Sequence, residues 1–193
     1  MRAGFATAAA VLAVLATTDT ARPDPPGSLP ARAAVRLCRQ ADAAEPGERR
    51  RLWSQGLAIA EHAVARHPHD PVAHFAVFCN LGKRASADGI GPDALAAVPR
   101  LRKHIERALQ LAPDWAEALA ARGAFVAALP GILGGDTEEG ERLIRRSLAI
   151  DPGNAAARRE LARMLRKQGR DAEAAAALAP AGAQAAAGGA AQP

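Results

Sequence analysis

Apolar residues along the chain recur at spacings of three and four rather than two, which predicts helices and no strands. Three segments close in the same way: AIAEHAVARHP at Pro68, HIERALQLAP at Pro113 and LIRRSLAIDP at Pro152. Aligned on the proline, they match without gaps. Five residues before each proline stands a small residue, Ala63, Ala108 and Ser147; further back come Ala60, Ile105 and Ile144, then Gly56, Leu101 and Gly140. Small residues at these places let a second helix come close. Each proline ends its helix because it has no N–H to donate and its ring clashes with the turn before it.

A second amphipathic segment follows each proline: VAHFAVFCNLGK, WAEALAARGAFVAAL and AAARRELARMLRKQG. The repeating unit is therefore a helical hairpin. The last unit is the most regular, with Leu161 and Leu165 on one helix, Gly169 in the turn, and Ala174 and Leu178 on the returning helix. An opening unit is expected from ARAAVRLCRQADA and RRRLWSQGLAIAEHAVARH, joined by a turn at Glu45, Pro46 and Gly47.

Over roughly residues 31 to 180 this pattern resembles the tetratricopeptide repeat (TPR), whose units of about 34 residues pair an A helix with a B helix. The resemblance implies an all-α, right-handed α-solenoid of about four TPR-like hairpins. The joints at Pro68, Pro113 and Pro152 are too far apart for the plain repeat, so insertions are expected between the helices of the middle units, RASADGIGPDALAAVPR and LPGILGGDTEEG. In that pattern, and in RKHIERALQLAP followed by an Ala-rich helix, the chain is similar to the divergent repeats of the regulator-of-microtubule-dynamics and TRAP-transporter T-component groups. Members of both are helical scaffolds, which implies a non-catalytic protein.

The ends read differently. MRAGFATAAAVLAVLATTDTA has one positive charge and then an apolar run from Phe5 to Ala16, a signal-peptide pattern over residues 1–21 with cleavage near 16 or 21. The run is too short for the roughly 20 residues of a membrane-spanning helix. Pro23, Pro25, Pro26 and Gly27 mark residues 22–30 as a linker, the repeat domain covers 31–180, and residues 181–193, with no bulky apolar side chain, read as a disordered Ala/Gly-rich tail. Abundant Ala, Arg and Gly fit a GC-rich bacterial genome, so the expected location is periplasmic or secreted. Export also permits Cys38 and Cys79, the only cysteines, to form a disulfide, with two buried free thiols as the alternative.

Candidate chemistry is sparse. HPHDPVAHF gathers His67, His69, Asp70 and His74, but its histidines fan out around a bend instead of sharing a helix face at i and i+4. Asp70 before Pro71 reads as a helix N-cap, and the histidines as solvated passengers; no metal is expected. GILGGDTEEGERL lacks the Lys and hydroxyl of a phosphate loop, and its Asp136, Glu138 and Glu139 would repel phosphate; Asp136 with Glu139 is a capping box. Ser28, Ser54, Ser86 and Ser147 sit in no activating motif, so neither an enzyme nor a cofactor is expected.

Charge adds one candidate surface. The chain carries 25 Lys and Arg against 20 Asp and Glu, a formal +5. Arg159, Arg163, Arg166 and Lys167 form one stripe opposite Leu161 and Leu165. In TPR solenoids that side of the A helices lines a concave groove, so the stripe, with Phe75, Lys83 and Ala120, is expected to form a wall that takes an acidic or C-terminal peptide; otherwise it is the solvated cap of the last repeat. The carboxylate clamp of some TPR proteins is not reproduced, because Phe75 and Cys79 stand where its polar residues would be. Nucleic acid is disfavoured by the lack of basic-aromatic interleaving, while an anionic polymer or lipid surface stays open as a partner. The leading expectation is an exported scaffold for protein–protein interaction. The alternative is a structural or assembly subunit of an envelope transporter or export complex, docking through its convex face at residues such as Arg145 and Arg146.

Overall fold

A computed structural model describes residues 23–89 and 91–179, all of whose regular structure is helical. The expected signal peptide, residue 22 of the linker and the tail at 181–193 lie outside the described residues. Within them run α1 (Leu29–Asp42), α2 (Pro46–Arg66), α3 (Pro71–Ala85), α4 (Pro92–Leu111), α5 (Ala116–Ala128), a 3-10 turn (Gly131–Leu133), α6 (Thr137–Ile150), α7 (Ala155–Lys167) and α8 (Asp171–Leu178).

Helix ends follow local chemistry. Ser28, Asp70, Asp136 and Asn154 turn side-chain oxygens onto the free N–H groups that open α1, α3, α6 and α7. Asp136 accepts from the Glu139 N–H at 2.9 Å. Gly134 and Gly169 take the left-handed conformation that closes the turn before α6 and the turn after α7. The turn expected at Glu45, Pro46 and Gly47 lies a little earlier: Glu45 is the N-cap of α2, and Pro46 occupies the first helical position, where its missing N–H costs nothing.

Helices pack in consecutive pairs, α1 on α2, α3 on α4, α5 on α6 and α7 on α8, and α1 also lies along α3. Gly123 and Gly140 allow the tightest of these contacts, since a Cβ on either would come 2.7 Å from the other's carbonyl oxygen. Gly56 makes room for Asn80, whose side-chain nitrogen donates to the Ala34 and Ala76 carbonyls and so ties α1 to α3. The same two helices are joined covalently by the Cys38–Cys79 disulfide, with Cα atoms 6.2 Å apart. One apolar core runs through the first three pairs and a smaller one, around Ile144, Leu161 and Leu165, fills the last.

The expected insertions become something else. Most of RASADGIGPDALAAVPR is helix, adding turns to the front of α4, because Pro92 starts a helix well and Ala94, Ala96 and Ala97 continue it. Pro99 sits inside that helix, so the Leu95 carbonyl loses its usual donor. LPGILGGDTEEG folds into the 3-10 turn and the cap of α6.

Residues 23–28 form a strap over two helix joints. Asp24 accepts from the Trp115 ring N–H at 2.8 Å, and the Ser28 N–H donates to Asp70, the residue that also caps α3.

Candidate functional site

The lengthened α4 and the sparse contact between α4 and α5 leave an opening where the second pair meets the third. It is a cleft of about 390 Å³ between α3, α4 and α5, lined by Phe75, Phe78, Leu95, Val98, Leu101 and Phe125 together with several alanines. Its walls are aromatic and locked by mutual contacts. Phe75 packs against Trp115 with ring centroids 4.6 Å apart, and Phe78 meets Phe125 edge to face at 5.6 Å. Such pairs prefer tilted and edge-on geometries, which help hold the rings in place. Cys79 is part of the lining, so the disulfide fixes one wall to α1.

Polar side chains are few in the lining. Lys83 lines the cleft, and its ammonium is paired with Asp42 of α1. Ser86, also in the lining, donates its hydroxyl to the Gly82 carbonyl at 2.9 Å. Arg39 of α1 reaches Glu117 of α5, and burial pushes the Glu117 carboxyl up, with Arg39 working against that rise. Ion pairs therefore lace α1, α3 and α5 along one face.

The expected groove residues divide. Phe75 and Lys83 come together in the cleft, although Phe75 is only 3% exposed and serves the core as well. Arg159, Arg163, Arg166 and Lys167 are exposed on α7 and are not part of the cleft lining; Arg163 pairs with Glu160. Ala120 packs against the smaller core.

The histidines need one correction. His67 and His69 are exposed, but His74 is buried and its Nδ1 lies 3.0 Å from Nδ1 of His104 on α4. The expected passenger is thus half of a buried pair. Its partner stands 30 residues away in sequence, and only the packing of α4 on α3 brings the two rings together. His74 Nε2–H donates to the Pro68 carbonyl at 3.1 Å, so in the neutral pair His74 Nδ1 accepts and His104 Nδ1–H donates. Burial lowers the pKa of both rings, that of His104 to about 4, with the neighbouring His74, Arg100 and Lys103 adding to the effect there. Among the described residues no group of three or more His, Cys, Asp or Glu side chains could hold a metal ion.

The family model for the TRAP transporter T-component matches residues 9–183, nearly the whole chain. The chain belongs to the TRAP transporter T-component family. No curated protein matches it. The family is named for a place in a transporter rather than for a catalysed reaction. Among the described residues of this T-component family member, no helix is long and apolar enough to cross a membrane.

Proposed function

We propose that this chain is a non-catalytic accessory subunit of a TRAP-type transporter, exported to the bacterial periplasm, and that its TPR-like hairpins frame a cleft that holds a small, mostly apolar molecule. The lining of that cleft carries the reading. Three Phe rings and aliphatic side chains line about 390 Å³, within the roughly 300–1000 Å³ of small-molecule sites, and Lys83 and Ser86 are the charged and hydroxyl side chains of the lining. Burial of a ligand's apolar surface supplies its affinity, at about 25 cal/mol per Å² before the costs of immobilising it. A long apolar ligand with one polar end suits this shape better than a sugar or an amino acid, whose hydroxyl or charged groups would go unpaired there.

Titration with the uncharged fluorophore N-phenyl-1-naphthylamine tests the cleft. Saturable enhancement is expected for the wild-type chain, and it is lost in Ala124→Trp, which fills the cleft without adding charge. Circular dichroism establishes that the variant is folded. A wild-type chain without saturable enhancement, or a folded Ala124→Trp that binds as well, contradicts the reading.

A peptide-binding surface on α7 is a second reading, favoured by the exposure of Arg159, Arg166 and Lys167. It is weaker because Arg163 is engaged by Glu160 and Lys83 by Asp42, so an acidic peptide would compete with carboxylates already in place.

A further inference from the structure

Beside the cleft, and sharing Val98 with it, a second hollow is lined by Arg102, Lys103, Glu106 and Arg107 of α4 and by Ile132 and Leu133 of the 3-10 turn. Ile132 is 92% exposed, more than any other large apolar side chain described, and Leu95 at the cleft is 43% exposed. The turn that carries Ile132 is well tied. The Leu133 and Gly135 N–H groups both donate to the Pro130 carbonyl, the Asp136 N–H donates to Val126, and Arg102 donates to the Leu133 carbonyl at 2.8 Å. An isoleucine is thus presented to water by an ordered turn, beside a helix face on which three basic residues outnumber one acid. Of the three acids that follow, Asp136 caps α6 and Glu139 pairs with Arg142, while Glu138 is exposed in the first turn of α6.

We propose that this edge docks on an anionic lipid surface, with Ile132 entering the interface and Lys103 and Arg107 meeting the headgroups. Charge and area favour that occupant. One exposed isoleucine and one half-exposed leucine are far short of the apolar core of a stable protein interface, which takes about 800 Å² from each partner. A bilayer needs no shape complementarity: a shallow apolar insertion and nearby Lys and Arg together suffice. Docked this way, the cleft stands next to the membrane. The proposal goes beyond the reading of the cleft and does not depend on it.

Both native cysteines are in the disulfide, so Ile132→Cys provides a single reactive thiol on the full chain. The label is an environment-sensitive fluorophore, with Asp171→Cys on α8 as the control position. Vesicles of phosphatidylcholine containing a quarter phosphatidylglycerol are expected to give a blue-shifted, brighter signal at position 132 and no change at 171. Pure phosphatidylcholine leaves both unchanged, and added salt weakens the shift. Reversing charge with Lys103→Glu and Arg107→Glu raises the lipid needed for half-maximal signal at least tenfold, since each basic residue near the surface is worth about fivefold. No shift at 132 overturns the proposal. So does an equal shift at 132 and 171, which would place attachment elsewhere, or a shift indifferent to the charge reversal, which would mark the turn as apolar protein contact or self-association.

Discussion

A single proton lies between His74 and His104, and the surroundings keep a second one out. The two Nδ1 atoms are 3.0 Å apart, so protonating both rings would set two N–H groups against each other. Burial is the main cause that disfavours charge on either ring; Arg100, Lys103 and Arg107 add repulsion, and Asp70 and Glu61 pull the other way. In the unfolded chain both rings titrate near 6.5, whereas in the fold His104 is held down to about 4. Between those values the unfolded chain binds protons that the folded chain refuses, so this contribution to stability is complete above about pH 6.5 and is lost as pH falls toward 4. Thermal melts between about pH 7 and pH 5 are expected to show the wild type losing stability on acidification and His104→Gln losing less. Parallel curves for the two proteins would contradict this account. The sequence shows His74 plainly, but its partner lies on another helix and no local spacing reports it. Asp70 was readable as an N-cap; its second bond, to the Ser28 N–H, depends on a strap whose path is tertiary.

At the scale of elements, the helix joints were the most legible feature, because proline and the capping residues act on their own neighbours. Glycine at a helix contact is legible in kind but not in partner. Gly140 is recognisable as a small residue in the aligned series, yet its counterpart Gly123 emerges only when α5 and α6 are packed. Each glycine's missing Cβ is where the other's backbone lies. Gly123→Ala is expected to destabilise the fold by about 1–3 kcal/mol through overpacking, despite alanine's better helix propensity. Chemical denaturation measures it, and an unchanged or raised midpoint would show that α5 and α6 can separate freely. The insertion before α4 gives no local sign of being helical, since Gly89, Gly91, Pro92 and Pro99 mask the helix formers among them. That stretch shapes the cleft, because the added turns of α4 supply Ala94, Leu95 and Val98 to its lining.

At the scale of the whole molecule, the cleft lies in the seam between the second and third helix pairs. Within pairs the helices pack along their lengths, and at this seam they touch sparsely, leaving aromatic rings to line the gap. No periodicity predicts such a gap: Phe75 is expected in a groove wall from the sequence and does line the cleft, whereas nothing local singles out Phe78 or Phe125, whose place in the lining follows from how two pairs meet. The proposed place in a transporter rests on family membership over residues 9–183. Crosslinked affinity capture of the tagged full chain from its native envelope, followed by mass spectrometry, tests this most directly. The account predicts that the other subunits of a TRAP-type transporter are enriched over a capture with an unrelated exported protein. Absence of those subunits, with the tagged chain recovered folded and in quantity, would contradict it.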